Sequence, residues 1–182
     1  MSGILIISGP RTGSSNLLKS ISIAYNKKSV FEPDVFEKYP PYDSSKDVVK
    51  FIPSWEYHLS KGYDLLPIAK EFNTVVLLNR RNREEQLESL YVMGKYSLLN
   101  KVKWGIEKEI DKESEYWKYL THWMSELDIV MNKLSKDLNI PIDYYEDVYE
   151  NKALTNKDIN LDLEYFKPKY KLRQEVKPKT VI

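Results

Sequence analysis

The chain has 182 residues, of which 42% are hydrophobic and 30% charged, with a formal net charge of +1. That size and balance predict a single domain over residues 1–182 with a sizeable core, and near-neutrality gives no reason to expect nucleic acid as a partner. With no cysteine in the chain, disulfides and thiolate metal sites are excluded, and the absence of a basic leader or a membrane-spanning apolar run makes a cytoplasmic location the expectation.

The first predicted element is a strand, Ile4 to Ile7, leading into a loop with Gly9, Pro10 and Gly13. A helix follows at once, because Leu17, Leu18, Ile21, Ala24 and Tyr25 recur on one helical face. Strand, glycine loop and helix together present backbone amides and a helix N-terminus to an anion. Ser14 and Ser15 stand where they can cap the helix or donate to that anion. The loop is close to a Walker A element but departs from it: aligned on Gly13, Ser8 replaces the first glycine and Ser14 the lysine. Positive charge enters instead at Arg11, whose planar fork suits an oxyanion.

Further along, Ser29 to Pro33 reads as a short strand ending in Glu32, and 33–47 as an irregular surface segment rich in proline and serine. Asp47 to Pro53 is a second strand carrying Lys50, and Leu59 to Phe72 a predicted helix. Thr74 to Leu78 is a continuous apolar run of the kind buried on both faces of a parallel sheet. Arg80, Arg81 and Arg83 come next, with a helix from about Glu84. Residues 95–112 read as a loop or a loosely packed helix. The strongest helical pattern is 113–138, where Tyr116, Leu120, Trp123, Leu127, Val130 and Leu134 recur beside Trp117, Met124, Met131 and Leu138. So wide a stripe is a core-packing face, with a homodimer seam as the alternative. Ile140 to Tyr145 is the last strand, and Glu146-Asp147 opens a short helix. Strands alternating with helices predict an α/β fold of three layers: a five-stranded, mostly parallel sheet, P-loop-like, flanked by helices. In the C-terminal stretch Lys167, Lys169, Lys171 and Arg173 would share one side of an extended chain.

Pro10-Arg11-Thr12-Gly13-Ser14-Ser15-Asn16-Leu17 resembles the 5′-phosphosulfate loop of the sulfotransferases that use 3′-phosphoadenosine-5′-phosphosulfate (PAPS). Two further motifs follow in that family's order. Arg81-Asn82, with Ser89 eight residues after the arginine, is similar to its 3′-phosphate clasp, and Tyr145-Glu146-Asp147-Val148 to its Tyr-Glu-Asp-Leu. The resemblance covers roughly residues 4 to 152. It implies a PAPS-dependent sulfotransferase acting on a hydroxyl or amine of a small-molecule, carbohydrate or lipid acceptor, with no metal. Arg11, Thr12, Gly13, Ser14, Ser15 and Asn16 would hold the 5′ end, Arg81 (with Arg80 as the alternative) and Ser89 the 3′-phosphate, and Tyr145 would lie near the adenine.

For catalysis, the resemblance implies Arg11 and Lys50 as donors to the developing charge. In the family's cytosolic branch a Lys-x-His pattern stands on the strand of Lys50, but Ile52 occupies the histidine position here. Glu32 takes the place of the glutamate base in some bacterial and Golgi-type members; His58 is the rival, and His122 a poor candidate. The family's Arg-Lys-Gly triplet is missing, leaving Lys169, Lys171 or Arg173 as substitutes. Residues 33–47 or 95–112 would form the acceptor pocket. An atypical P-loop kinase of nucleotides or small molecules and a non-catalytic nucleotide-binding protein are the rival readings.

Overall fold

The computed structural model describes residues 3–97 and 109–148. Its frame is five strands, all parallel: β1 (Ile4–Ser8), β2 (Ser29–Phe31), β3 (Val48–Phe51), β4 (Thr74–Asn79) and β5 (Ile142–Tyr144). They lie side by side in the order β2-β3-β1-β4-β5. The chain fills one side of β1, then crosses to the other. Such a switch opens a crevice at the carboxyl ends of the central strands.

Register fixes which side chain faces which layer. Ile6 pairs with Lys50 and with Val76, so residues of equal parity line up across the sheet. Ile4, Ile6, Val48, Val76 and Leu78 pack on α1 (Ser14–Ala24) and on Val148 at the sheet's lower-numbered face. Leu5, Ile7, Val49, Phe51 and Leu77 pack on the opposite layer, formed by α2 (Leu66–Glu71), α3 (Arg83–Val92) and α4 (Glu115–Leu138). The final element, α5 (Tyr145–Val148), directly follows β5. The three-layer α/β expectation holds, with parallel pairing throughout the described sheet.

The long helix α4 begins where Ser114 accepts a hydrogen bond from the Trp117 amide and ends at Asn139, a left-handed residue (φ 51°). Leu120, Met124, Leu127, Met131, Leu134 and Leu138 are its buried face. That stripe is covered by this chain's own sheet and helices.

One expected element differs. In place of a helix over Leu59–Phe72 there is a single 3₁₀ turn at Leu59–Lys61, a loop, and then α2. Gly62 (φ 66°) ends the turn in the left-handed region. Pro67 favours a new start, and Asp64 accepts from the Leu66 amide just before it. Among the described residues no helix is long and apolar enough to cross a membrane. Lys167, Lys169, Lys171 and Arg173 and most of the 95–112 segment lie outside the described residues.

Candidate functional site

Parallel strands end together, so the loops after β1, β2, β3, β4 and β5 converge on one cleft of about 890 Å³. Pro10, Arg11, Gly13, Ser14, Ser15 and Asn16 form one wall. Gly13 (φ 73°) is the N-cap of α1, and no side chain caps the helix there. The uncapped amides and the positive end of the helix dipole favour an anion. Thr12 is the exception in this stretch. It is fully buried and its hydroxyl donates to the Gly9 carbonyl at 2.8 Å, so its side chain braces the loop instead of lining the cleft.

A polar brace behind the loop had no signal in the sequence. Buried Gln86 on α3 donates from Nε2 to the Pro10 carbonyl at 2.6 Å and accepts from Arg83 at 2.6 Å. Arg83 in turn grips Asp128 of α4 through contacts of 2.5 and 2.6 Å. Asp128 also accepts from Asn79 at 2.7 Å, closing a chain of contacts from the glycine loop through two helices to the end of β4. A Cβ on Gly9 would meet Gln86 Nε2 at 3.1 Å, so the glycine lets this brace approach the loop closely.

Lys50 stands on the α1 side of β3, by the same parity as Val48. Its side chain is only 3% exposed. The ammonium donates to Glu32 Oε1 at 2.5 Å and to Ser15 Oγ at 2.9 Å, and lies 4.0 Å from the centre of the Phe31 ring. Burial pushes the lysine below its ordinary pKa; Glu32 pulls the other way and does not fully offset it. Glu32 itself is 40% exposed at the cleft edge. The structure thus brings together two of the residues expected to act in chemistry, Glu32 and Lys50, with Ser15 in the first turn of α1 as the second acceptor of the lysine.

Backbone geometry marks the same place. Arg11 (φ 59°) and Glu32 (φ 45°) both adopt the left-handed region, as do Asn26 and Asn139. Asparagine is at ease there, whereas arginine and glutamate sit at a cost of about 1–2 kcal/mol each. Both costly residues line the cleft. Strain of this kind gathers where function dictates a side-chain position.

Of the two arginines that follow β4, the one expected to face the site is not the one that does. Arg81 is 52% exposed, is paired with Asp147 through both guanidinium ends, and lies over the Tyr144 ring. It does not line the cleft; Arg80 does. Alternation explains this, since Arg80 continues the Val76, Leu78 face toward α1. Its side chain is 11% exposed, rests 4.7 Å from the Tyr145 ring centre and pairs with Glu85 at 2.7 Å. Its buried Nε has no hydrogen-bond partner among the described residues. Ser89 and Tyr145 line the cleft as expected, and Arg11 Nε donates to Ser89 Oγ at 2.8 Å.

The chain matches no protein-family model, no curated protein and no solved structure.

Geometry therefore carries the site alone. The Tyr145-Glu146-Asp147 stretch gains a physical role from it: Glu146 accepts from the amides of Arg81 and Asn82 at 3.0 Å, and Asp147 takes the Arg81 guanidinium. Burial works to raise the Glu146 carboxyl, but those amides hold it below the usual range. This acidic pair locks the β4–α3 corner and leaves Arg80 turned to the cleft. His58, the rival base, lies elsewhere. Its ring packs 4.9 Å from Phe51 and 5.5 Å from Phe36, and Nδ1 accepts from the Ser54 amide at 3.0 Å. Burial lowers its pKa, as suits a neutral structural imidazole. His122 is exposed on α4 and packs edge-on against Trp55.

Proposed function

We propose that the chain is a PAPS-dependent sulfotransferase. The observation that carries this reading is the Arg11–Ser89 contact. It joins the glycine loop to the second turn of α3 at the mouth of a cleft that also holds Lys50, Arg80 and an uncapped helix N-terminus. Cationic groups from three different strand ends converge there, as a ligand with more than one anionic group requires. The Nε of Arg80 makes no hydrogen bond among the described residues and lies 3.9 Å from Glu146 Oε1, a donor that fits a phosphate beside Tyr145.

In this reading Gly13 to Asn16 and Arg11 hold the 5′ end, and Arg80 with Ser89 holds the 3′-phosphate; the adenine lies by Tyr145. When bound, PAPS supplies a sulfuryl group that passes to the acceptor oxygen or nitrogen as the bond to the 5′-phosphate oxygen breaks. Glu32 receives the acceptor's proton, for which it is placed by its hydrogen bond to Lys50. Lys50, nearly dry, contributes a positive charge that water screens little. Arg11 adds a second donor from the loop.

The test is a thermal-shift comparison of adenosine 3′,5′-bisphosphate, adenosine 5′-phosphate and magnesium ATP, since a ligand that binds only the folded state raises apparent stability. The bisphosphate is expected to give the largest rise. A larger response to magnesium ATP would replace the sulfotransferase with a kinase of unusual loop.

A further inference from the structure

The cleft has two chemically distinct ends. Cations and loop amides occupy one. The other is built from one side of the first turns of α4, where Tyr116, Tyr119 and Trp123 line the cleft beside the segment after β3 that carries Ser54 and Glu56. Tyr116 and Tyr119 are nearly parallel (13°) with ring centres 6.3 Å apart, and Trp123 follows 6.5 Å from Tyr119. The tryptophan is fixed by donating from Nε1 to the Pro53 carbonyl at 2.9 Å. At 1.5 Å rise per residue the ridge from 116 to 123 is about 10 Å long, enough for a ligand of two sugar rings lying along the helix.

Charge narrows the class. Among the described residues of this end, Glu56 is the only charged side chain lining the cleft. The Tyr119 hydroxyl is pushed up by burial and then by the nearby Glu56 carboxylate, so the negative charge is felt along the ridge. An anionic acceptor meets repulsion there, with no cation among the described residues of this end to offset it. Wetness narrows it further. Tyr116 is 36% exposed and Glu56 is exposed, so a ligand on the ridge keeps one face in water. A purely apolar ring gains most from a site that encloses nearly all of its surface. Aromatic faces backed by two phenolic hydroxyls, a serine and a carboxylate suit a ring with apolar faces and a hydroxylated edge.

We infer that this end is the acceptor subsite and that it takes an uncharged, polyhydroxylated ring, a sugar or a neutral glycoside. The assignment of the site as the acceptor's rests on the sulfotransferase reading; the ligand class rests on the ridge itself. Saturation-transfer NMR on the full chain tests it, with maltose, cellobiose and lactose as neutral probes, glucuronic acid as the anionic one and toluene as the apolar, un-ionised one. At least one disaccharide is expected to show transfer that Tyr119→Ala abolishes, with glucuronic acid and toluene weaker. Glu56→Lys, at an exposed rim position that spares the core, is expected to strengthen glucuronic acid severalfold. The inference is overturned if no disaccharide binds, if toluene binds more tightly, or if Glu56→Lys leaves the anionic probe unchanged. Thermal shifts with adenosine 3′,5′-bisphosphate on the same samples separate the two claims. A nucleotide response without sugar binding sinks the subsite alone, and sugar binding without a nucleotide response sinks the sulfotransferase reading alone.

Discussion

The Lys50–Glu32 pair is asymmetric, and that asymmetry yields a sharp pair of variants. Lys50 is 3% exposed and Glu32 40%. Glu32→Ala strips a buried ammonium of its carboxylate, a change that costs about 3–5 kcal/mol where nothing else helps. Here the Ser15 hydroxyl at 2.9 Å and the Phe31 ring remain, which reduces the expected loss to about 2–3 kcal/mol. For a chain of this length that is a fall in Tm of roughly 5–10 °C. Lys50→Met does the reverse: it removes a charge that burial already disfavours, and the carboxylate left behind can be hydrated. Its Tm is expected to stay within about 3 °C of the parent or to rise. Yet on the proposed function the same variant loses a charge-assisted donor to the nucleotide, so affinity for adenosine 3′,5′-bisphosphate should drop by about ten- to a hundredfold. Scanning fluorimetry and titration calorimetry read the two effects separately. Should Lys50→Met melt as low as Glu32→Ala, the lysine is holding the fold together and the argument for its chemistry collapses; unchanged nucleotide affinity would be equally damaging.

Other expectations follow from the same geometry. Arg80→Ala should weaken the bisphosphate at least tenfold while barely altering adenosine 5′-phosphate, whereas Arg81→Ala, remote from the cleft wall, should spare both; calorimetry on the two variants decides it. Gln86→Ala leaves the Pro10 carbonyl and Arg83 without their buried partner, a loss of about 2–4 kcal/mol visible in urea melts, and Gln86→Glu, which has no amide donor for that carbonyl, should not restore it. His58 is depressed below the ordinary 6.5 by burial. Its neutral form is therefore the one that the fold favours, and its contribution to stability, full above 6.5, should be lost as pH falls through the depressed value. Comparing parent and His58→Phe melts from neutral to mildly acidic pH reads this directly, and a gap that widens toward acid in the parent's favour would contradict it.

Sequence reasoning reached the strands because each is a short apolar run closed by glycine, proline or charge, and it reached the glycine loop because Gly9 and Gly13 bracket it. It placed Arg11, Lys50, Glu32, Ser89 and Tyr145 on what proves to be one cleft. The choice between Arg80 and Arg81 was beyond it. Two adjacent arginines at a strand end differ only in parity, and parity is settled by where β4 leaves the sheet. Leu59–Phe72 looked helical because its apolar residues keep helical spacing; Gly62 and Pro67 carried the contrary signal and prevailed. Gln86 and Asp128 were silent for another reason. A buried polar brace shows no periodicity, and its members lie 42 positions apart in the chain. The wide stripe of α4 was read as core, which holds for Leu120 and Met124, while its aromatic members Tyr116 and Trp123 line the cleft.

Positions 11 and 32 occupy backbone shapes that glycine or asparagine would adopt with less resistance. A directed-evolution campaign selecting only for heat tolerance will thus be drawn to replace this arginine and this glutamate, and will harvest sturdy proteins with a blunted pocket. Ranking homologous chains by which residue they keep at these two sites becomes a cheap way to tell working copies from decayed ones.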